Sequence, residues 1–304
     1  MKHFHATLIA AAGLSAAAVP AAAATINVLW TSGTSAYNTS IAGVAAAAPG
    51  FDPDGDGSND WNLTFWDESV GAAPSFSAYD VLVIGSTYGI DQDYSGSGFF
   101  GLGVSARGLI DESAAISAAR GERTFLSGQD ADWHNLNNIP GRDDGPLGFM
   151  VNAVNWAAAG AGLGIVSMTD RYDAGSTRDG WWTADGSFLK DELGAGVVAR
   201  NTETVAIGAG QEGFPINEGL TTAGLSNWST SAHAAFLDEI EGYARINFDG
   251  VGGGITIVTA GEEDGGTIGG GGPTVPPIPL PAGAWLMFGA LGTLAGLRRR
   301  AKRA

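Results

Sequence analysis

The chain has 304 residues, a formal net charge of −17 and no cysteine. The acidic balance argues against nucleic-acid binding, because phosphate contacts need a cationic surface, and the lack of cysteine excludes a disulfide framework and a thiolate nucleophile. The length is enough for one good-sized domain, and a hydrophobic content of 44% can supply its core.

The N-terminus has the order of a secretory signal peptide. Lys2 gives a positive n-region, residues 6–19 form an apolar h-region, and small residues at 22–24 suit signal peptidase. We therefore expect residues 1–24 to be removed and the mature chain to cross the inner membrane unfolded through the Sec translocon. An uncleaved N-terminal anchor is the alternative.

Short apolar segments alternate with helical ones between residues 25 and 264. Strands are predicted at residues 26–30, 61–66, 80–85, 123–127, 164–168, 204–207 and 255–259. Helices are predicted at residues 36–48, 104–119, 147–159 and 188–193. This alternation predicts an α/β domain with a three-layer, doubly wound and mainly parallel sheet. Ligands in such folds bind at the carboxyl ends of the strands.

An Asp-rich loop at residues 52–60 leads into the second predicted strand. A tight loop of oxygen donors suits calcium, which takes several hard ligands at once. The loop resembles those of EF-hand, dockerin and thrombospondin-type repeats, although Leu63 stands where an EF-hand has its bidentate glutamate. We expect a structural calcium site, and a solvated acidic turn is the alternative. The candidate ligands are Asp52, Asp54, Asp56 and Asp60.

Two later segments carry residues suited to chemistry. Residues 127–134 follow the fourth predicted strand, and residues 227–233 follow a Pro-x-x-x-Gly-Leu turn at 215–220. Histidine beside a carboxylate acts as a general base or a metal ligand. We expect both segments to converge in one Asp/His site at the carboxyl edge of the sheet; the alternative is that each histidine only bonds its own loop. The candidate catalytic residues are Asp130, Asp132, His134 and His233.

The order of these elements resembles the class I glutamine-amidotransferase-like fold, including its ThuA-like, sugar-associated branch. The resemblance implies that the strand–turn–helix after a central strand presents the reactive residue. Residues 127–130 hold no cysteine, so amidotransferase activity is excluded. We expect a non-catalytic body, and the alternative is a hydrolase-like or metal-assisted enzyme that uses the Asp/His site.

Residues 80–89 resemble the flavodoxin strand and loop that flank the flavin ring, and residues 31–35 resemble the flavodoxin phosphate loop. A chain exported unfolded would have to find its flavin outside the cell. We therefore expect a flavodoxin-like core without a flavin.

Four tryptophans fall in predicted loops, at positions 133, 181, 182 and 228. Aromatic platforms beside carboxylates hold sugars in many proteins, which favours binding of extracellular polysaccharide. Partly buried packing is the alternative.

The C-terminal region has a Gly/Pro linker at 265–275, a proline run, an apolar segment at 284–297 and a basic end. This order resembles PEP-CTERM sorting tails of the Val-Pro-Leu-Pro-Ala-Gly type, with Ile278 in place of valine. The resemblance implies that residues 276–304 are an exosortase signal, anchored in the inner membrane with the arginines inside, before release to the cell surface or matrix. An ordinary tail anchor is the alternative. The residues that carry the resemblance are Pro279, Leu280, Pro281, Ala282, Gly283, Arg298, Arg299 and Arg300.

Overall fold

A central β-sheet organises the part of the chain that the structure describes. The computed structural model describes residues 25–32, 44, 51–52, 59–68, 72–86, 107–136, 145–169, 181–228, 230–237 and 239–259. The predicted signal peptide, most of the predicted first helix, two calcium-loop carboxylates (Asp54 and Asp56) and the sorting tail lie outside these residues. Within the described residues, no helix has the length and apolar character needed to cross a membrane.

Ten strands make up the described sheet. They are β1 (Ile26–Thr31), β2 (Trp61–Trp66), β3 (Val81–Ile84), β4 (Arg120–Ser127), β5 (Leu163–Ser167), β6 (Val197–Thr202), β7 (Val205–Ile207), β8 (Ala232–Phe236), β9 (Tyr243–Asp249) and β10 (Gly254–Thr259). The described helices are α1 (Arg107–Asp111), α2 (Ser113–Ala119), α3 (Ala131–Leu136), α4 (Pro146–Ala158) and α5 (Lys190–Leu193), with short 3-10 helices at Phe76–Ala78, Trp181–Thr183 and Pro215–Asn217.

The first five strands are parallel and lie in the order β2-β1-β3-β5-β4. Strand β10 joins β4 in the antiparallel sense, and the remaining C-terminal strands are also antiparallel to their partners. The prediction of an α/β fold with a parallel central sheet is confirmed for β1 to β5. The C-terminal half differs, because it extends this sheet with antiparallel strands.

Alternate residues of the parallel strands enter two apolar clusters. In β3, Val81 and Val83 pack in one cluster, whereas Leu82 and Ile84 pack in the other, because successive side chains of a strand point to opposite faces. Helix α4 contributes to the first cluster and α2 to the second. Both faces of the sheet are therefore covered, as parallel strands require.

The carboxyl ends of three central strands lie side by side. Ser167, the last residue of β5, pairs with Ile84 of β3 on one side and with Leu126 of β4 on the other. The turns that follow these strands therefore meet at one edge of the sheet. This is the edge at which parallel α/β sheets bind ligands.

Candidate metal centre

Asp130 lies in the turn between β4 and α3 and immediately precedes the helix. One helical turn later, the backbone N–H of His134 donates to the carbonyl oxygen of Asp130 at 3.1 Å. Residues four apart share one face of a helix, and His134 Nε2 accordingly lies 3.1 Å from Asp130 Oδ1. The first turn of α3 thus positions two of the predicted site residues together.

His233 reaches the same carboxylate from β8. Its backbone N–H donates to the carbonyl oxygen of Gly128 at 2.7 Å, and its Nε2 lies 3.3 Å from Asp130 Oδ2. The sequence placed this histidine in a loop, but the structure places it within a strand. The bond between His233 and Gly128 ties β8 to the turn that carries Asp130.

The three side chains form a buried, charged group. The side chains of Asp130 and His233 are each 8% exposed, and that of His134 is 5% exposed. Burial alone would raise the pKa of the Asp130 carboxyl, but the two imidazoles, His233 foremost, hold that pKa well below its usual range. Asp130 is therefore an anion that needs cationic partners.

The ring nitrogens of both histidines face oxygen atoms. His134 Nε2 lies 3.2 Å from the carbonyl oxygen of Thr230 as well as close to Asp130. His233 Nδ1 lies 3.4 Å from Oδ1 of Asn201, an exposed residue on β6, while its Nε2 faces Asp130. Each ring nitrogen donates a hydrogen bond to its oxygen when it carries a proton, and offers an electron pair to a metal ion when it does not.

The spacing of the donor atoms suits a metal ion. One ligand atom from each of Asp130, His134 and His233 lies within 4.8 Å of the others. A zinc ion with bonds of about 2.0–2.1 Å holds tetrahedral ligands about 3.3 Å apart. The two imidazoles lie at 3.1 Å and 3.3 Å from the carboxylate, one beside each of its oxygens. Two imidazoles and one carboxylate are a donor set for zinc or iron(II).

Asp132, the fourth predicted catalytic residue, faces a different partner. Its Oδ2 accepts the backbone N–H of Ser86 at 3.0 Å, and its Oδ1 accepts the Ser86 hydroxyl. Burial raises the pKa of Asp132, and the nearby Asp130 carboxylate adds to this rise. Its hydrogen bonds with Ser86 tie α3 to the turn after β3, so we assign Asp132 to the support of the site.

The tryptophans predicted as a sugar platform are mostly interior. Trp181, Trp182 and Trp228 are all 0% exposed, so the prediction that they present their rings to a glycan is wrong. Trp181 and Trp182 pack in the cluster on one face of the sheet and Trp228 in the cluster on the other. Trp228 also lies beside His134, with 5.6 Å between ring centroids. Trp133 is half-buried.

The calcium loop is described only at its two ends. The backbone N–H of Asp60 donates to the carbonyl oxygen of Phe51 at 2.8 Å, and the carbonyl oxygen of Asp60 accepts the N–H of Ile26 at 2.6 Å. These bonds attach the base of the loop to β1. Calcium binding stays a prediction, because Asp54 and Asp56 lie outside the described residues.

Three residues that the sequence did not single out complete the surroundings of the centre. Thr230 precedes His233 closely, but nothing in its identity marks its carbonyl as a neighbour of His134. Asn201 is distant in the chain, and only the pairing of β6 with β8 brings it near. Gly128 carried a weak signal, since a glycine between a strand and a helix often marks a close approach of backbones.

No protein-family model, curated protein or solved structure matches this chain. The chemistry of the centre is therefore inferred from its geometry alone.

Proposed function

We propose that this chain is an exported α/β domain that binds one transition-metal ion of the zinc class through Asp130, His134 and His233. The observation that carries the proposal is the convergence of these three buried side chains at the carboxyl edge of the sheet. Nitrogen and oxygen donors of this kind suit zinc, iron(II) or manganese, whereas calcium prefers oxygen donors alone.

The orientation of His233 suits a metal ligand. Histidines that bind metals commonly donate their second ring N–H to an outer acceptor, which fixes the tautomer. Here Nδ1 faces Asn201 Oδ1 and leaves Nε2 directed at Asp130. In the tautomer with the proton on Nδ1, Nε2 carries the electron pair that a metal ion beside the Asp130 carboxylate would bind.

The proposed role is to stabilise a cell-surface or matrix component. The three-layer, doubly wound arrangement that we propose for the core is supported by the two apolar clusters and the parallel order of β1 to β5. Export and exosortase sorting are proposed from the terminal segments of the sequence. A metal centre suits such a protein, because the chain has no cysteine with which to form disulfides outside the cell.

Zinc titration of the purified full chain, stripped of metal, tests this proposal. We expect one equivalent of zinc to bind, with His134→Ala and His233→Ala each losing most of the affinity. Asp191→Asn, at an exposed carboxylate on α5, serves as the control and should bind as the wild type does. Zinc binding that is unchanged in both histidine variants, or absent from the wild type, would refute the proposed centre. A parallel calcium titration tests the Asp-rich loop separately.

A further inference from the structure

We propose that the peptide carbonyl of Thr230 is a fourth donor, so that the metal centre is closed rather than open to substrate. This inference rests on the proposed function, since it concerns the coordination of the same ion. It goes further by naming the ligand at the fourth coordination position of the metal. A filled fourth position makes the metal's role structural rather than hydrolytic.

The carbonyl oxygen of Thr230 is placed like a ligand. It lies 3.2 Å from His134 Nε2, nearly the same as the 3.1 Å between that nitrogen and Asp130 Oδ1. Both separations are close to the tetrahedral ligand spacing of about 3.3 Å expected around zinc. An ion bound to Nε2 of His134 would therefore have an oxygen on two sides.

The backbone at Thr230 adopts a conformation that a β-branched residue rarely takes. Its φ angle is 77°, in the left-handed region that favours glycine. Strain of this kind persists only where surrounding contacts impose it, and it concentrates at ligand sites. Here the residue with this unusual conformation presents its carbonyl to the His134 imidazole.

Glu203 imposes this conformation from the turn between β6 and β7. Its carboxylate accepts the backbone N–H of Thr230, and its carbonyl oxygen accepts the N–H of Asn227 at 2.8 Å and the hydroxyl of Ser231 at 3.2 Å. The Ser231 hydroxyl oxygen in turn accepts the N–H of Trp228 at 2.9 Å. Glu203 is thus a positioning residue that holds both ends of the segment carrying the fourth donor.

Two nitrogen and two oxygen donors would complete a four-coordinate site. Structural zinc sites are closed in this way, whereas catalytic ones keep a position for water. The ion would then join α3, β8 and the segment before β8, which meet at this point. A closed site leaves no metal-bound water to act as a nucleophile.

Cobalt(II) bound to the full chain in place of zinc distinguishes the two cases. A closed tetrahedral site gives strong visible absorption, and isotopically labelled water leaves its electron paramagnetic resonance lines unbroadened. We expect both results for the wild type. Line broadening by labelled water in the wild type would show that solvent occupies the fourth position and would overturn the inference.

Variants of Glu203 test how the carbonyl is held. Glu203→Ala removes the acceptor of the Thr230 N–H, so we expect zinc affinity to fall by about 10- to 100-fold and labelled water to broaden the cobalt signal. Glu203→Gln keeps an acceptor oxygen and should restore both properties. Glu241→Ala, at an exposed glutamate elsewhere, is the matched control.

The outcomes separate this inference from the proposed function. Zinc binding and cobalt spectra that are unchanged in Glu203→Ala would overturn the fourth donor and leave the three-residue centre standing. Failure of the wild type to bind zinc or cobalt would refute the centre itself, and with it the fourth donor.

Discussion

Gly128 faces the backbone of Ala234 so closely that a Cβ at position 128 would lie 1.9 Å from the Ala234 carbonyl oxygen. The backbone oxygen cannot rotate away as a flexible side chain can. The approach also lets the N–H of His233 donate to the Gly128 carbonyl. The contact between His233 and Asp130 therefore depends on a glycine that is itself outside the donor set.

Substitution of this glycine by alanine should separate β8 from the turn after β4. We expect Gly128→Ala to reduce the free energy of unfolding by about 3 kcal/mol and to weaken zinc binding, because His233 moves with β8. Urea denaturation and zinc titration measure the two effects. Gly213→Ala is the control, since a Cβ there meets nothing within 4 Å. Equal stability of the two variants would contradict the close approach.

Burial predicts a folding role for Trp182. Its indole N–H donates to the Ser167 hydroxyl at 2.8 Å, and its ring stacks on Phe236 with centroids 5.5 Å apart. We expect Trp182→Ala to lower the free energy of unfolding by about 4 kcal/mol, and Trp182→Phe to cost much less. Chemical denaturation measures both. A Trp182→Ala protein of normal stability that has lost polysaccharide binding would restore the sugar-platform hypothesis.

Arg120, Glu192 and Tyr243 form a polar cluster at the start of β4. Arg120 donates to both carboxylate oxygens of Glu192, at 2.6 and 3.0 Å, and to the Tyr243 hydroxyl at 2.8 Å. The Tyr243 hydroxyl donates to Glu192 at 2.7 Å. Burial alone would raise the pKa of Glu192, but the bonds from Arg120 and Tyr243 lower it. The ionised carboxylate thus joins β4, α5 and β9.

The lowered pKa of Glu192 predicts how stability depends on pH. The ionised carboxylate stabilises the fold fully above its ordinary pKa of about 4. This stabilisation is lost as the pH falls from that value through the lowered pKa of the folded state. We expect Glu192→Gln to be less stable near neutral pH, by under about 1 kcal/mol, and to lose less stability than the wild type on acidification. Urea denaturation from about pH 7 to about pH 3 measures this. Glu212→Gln, at an exposed glutamate, should follow the wild type; a Glu192→Gln curve parallel to the wild type would contradict the prediction.

The sequence predicted the parallel half of the fold because strands such as β3 are continuous apolar runs. Residues Val81 to Ile84, bounded by Asp80 and Gly85, can hardly be anything but an interior strand. The strand β8 is different, because it contains three alanines and a histidine, which have little preference for strands. It forms through its pairing with β6 and its approach to Gly128, and neither contact is visible in a local window.

The site was only partly predictable, because local spacing relates some of its residues and tertiary contacts bring the others together. The four-residue spacing of Asp130 and His134 places both on one helical face, but the sequence pattern indicated a loop there and hid the relationship. Asn201 and Thr230 reach the histidines only through tertiary contacts. Asp132 was grouped with Asp130 by proximity in the chain, whereas the helix directs its side chain to Ser86.

The Asp132 carboxylate is a buried charge that an amide can replace. Its side chain is nearly inaccessible, with 1% of the residue exposed, and its raised pKa shows that the buried charge is costly. Above the folded-state pKa, the buried charge lowers the free energy of unfolding by its full amount. Below the ordinary carboxyl pKa of about 4, this loss of stability disappears. An asparagine can accept the Ser86 N–H and donate to the Ser86 hydroxyl oxygen. We therefore expect Asp132→Asn to match or exceed wild-type stability near neutral pH and to bind zinc normally.

Asp132→Ala provides the contrast, because it leaves both Ser86 groups without their partner. We expect it to reduce the free energy of unfolding by about 2 kcal/mol. Urea denaturation near neutral pH compares the two variants, and zinc titration checks that neither removes a donor. A loss of zinc affinity in Asp132→Asn equal to that in His134→Ala would place Asp132 in the metal centre. Equal destabilisation by both variants would instead show that the negative charge itself is required at this position.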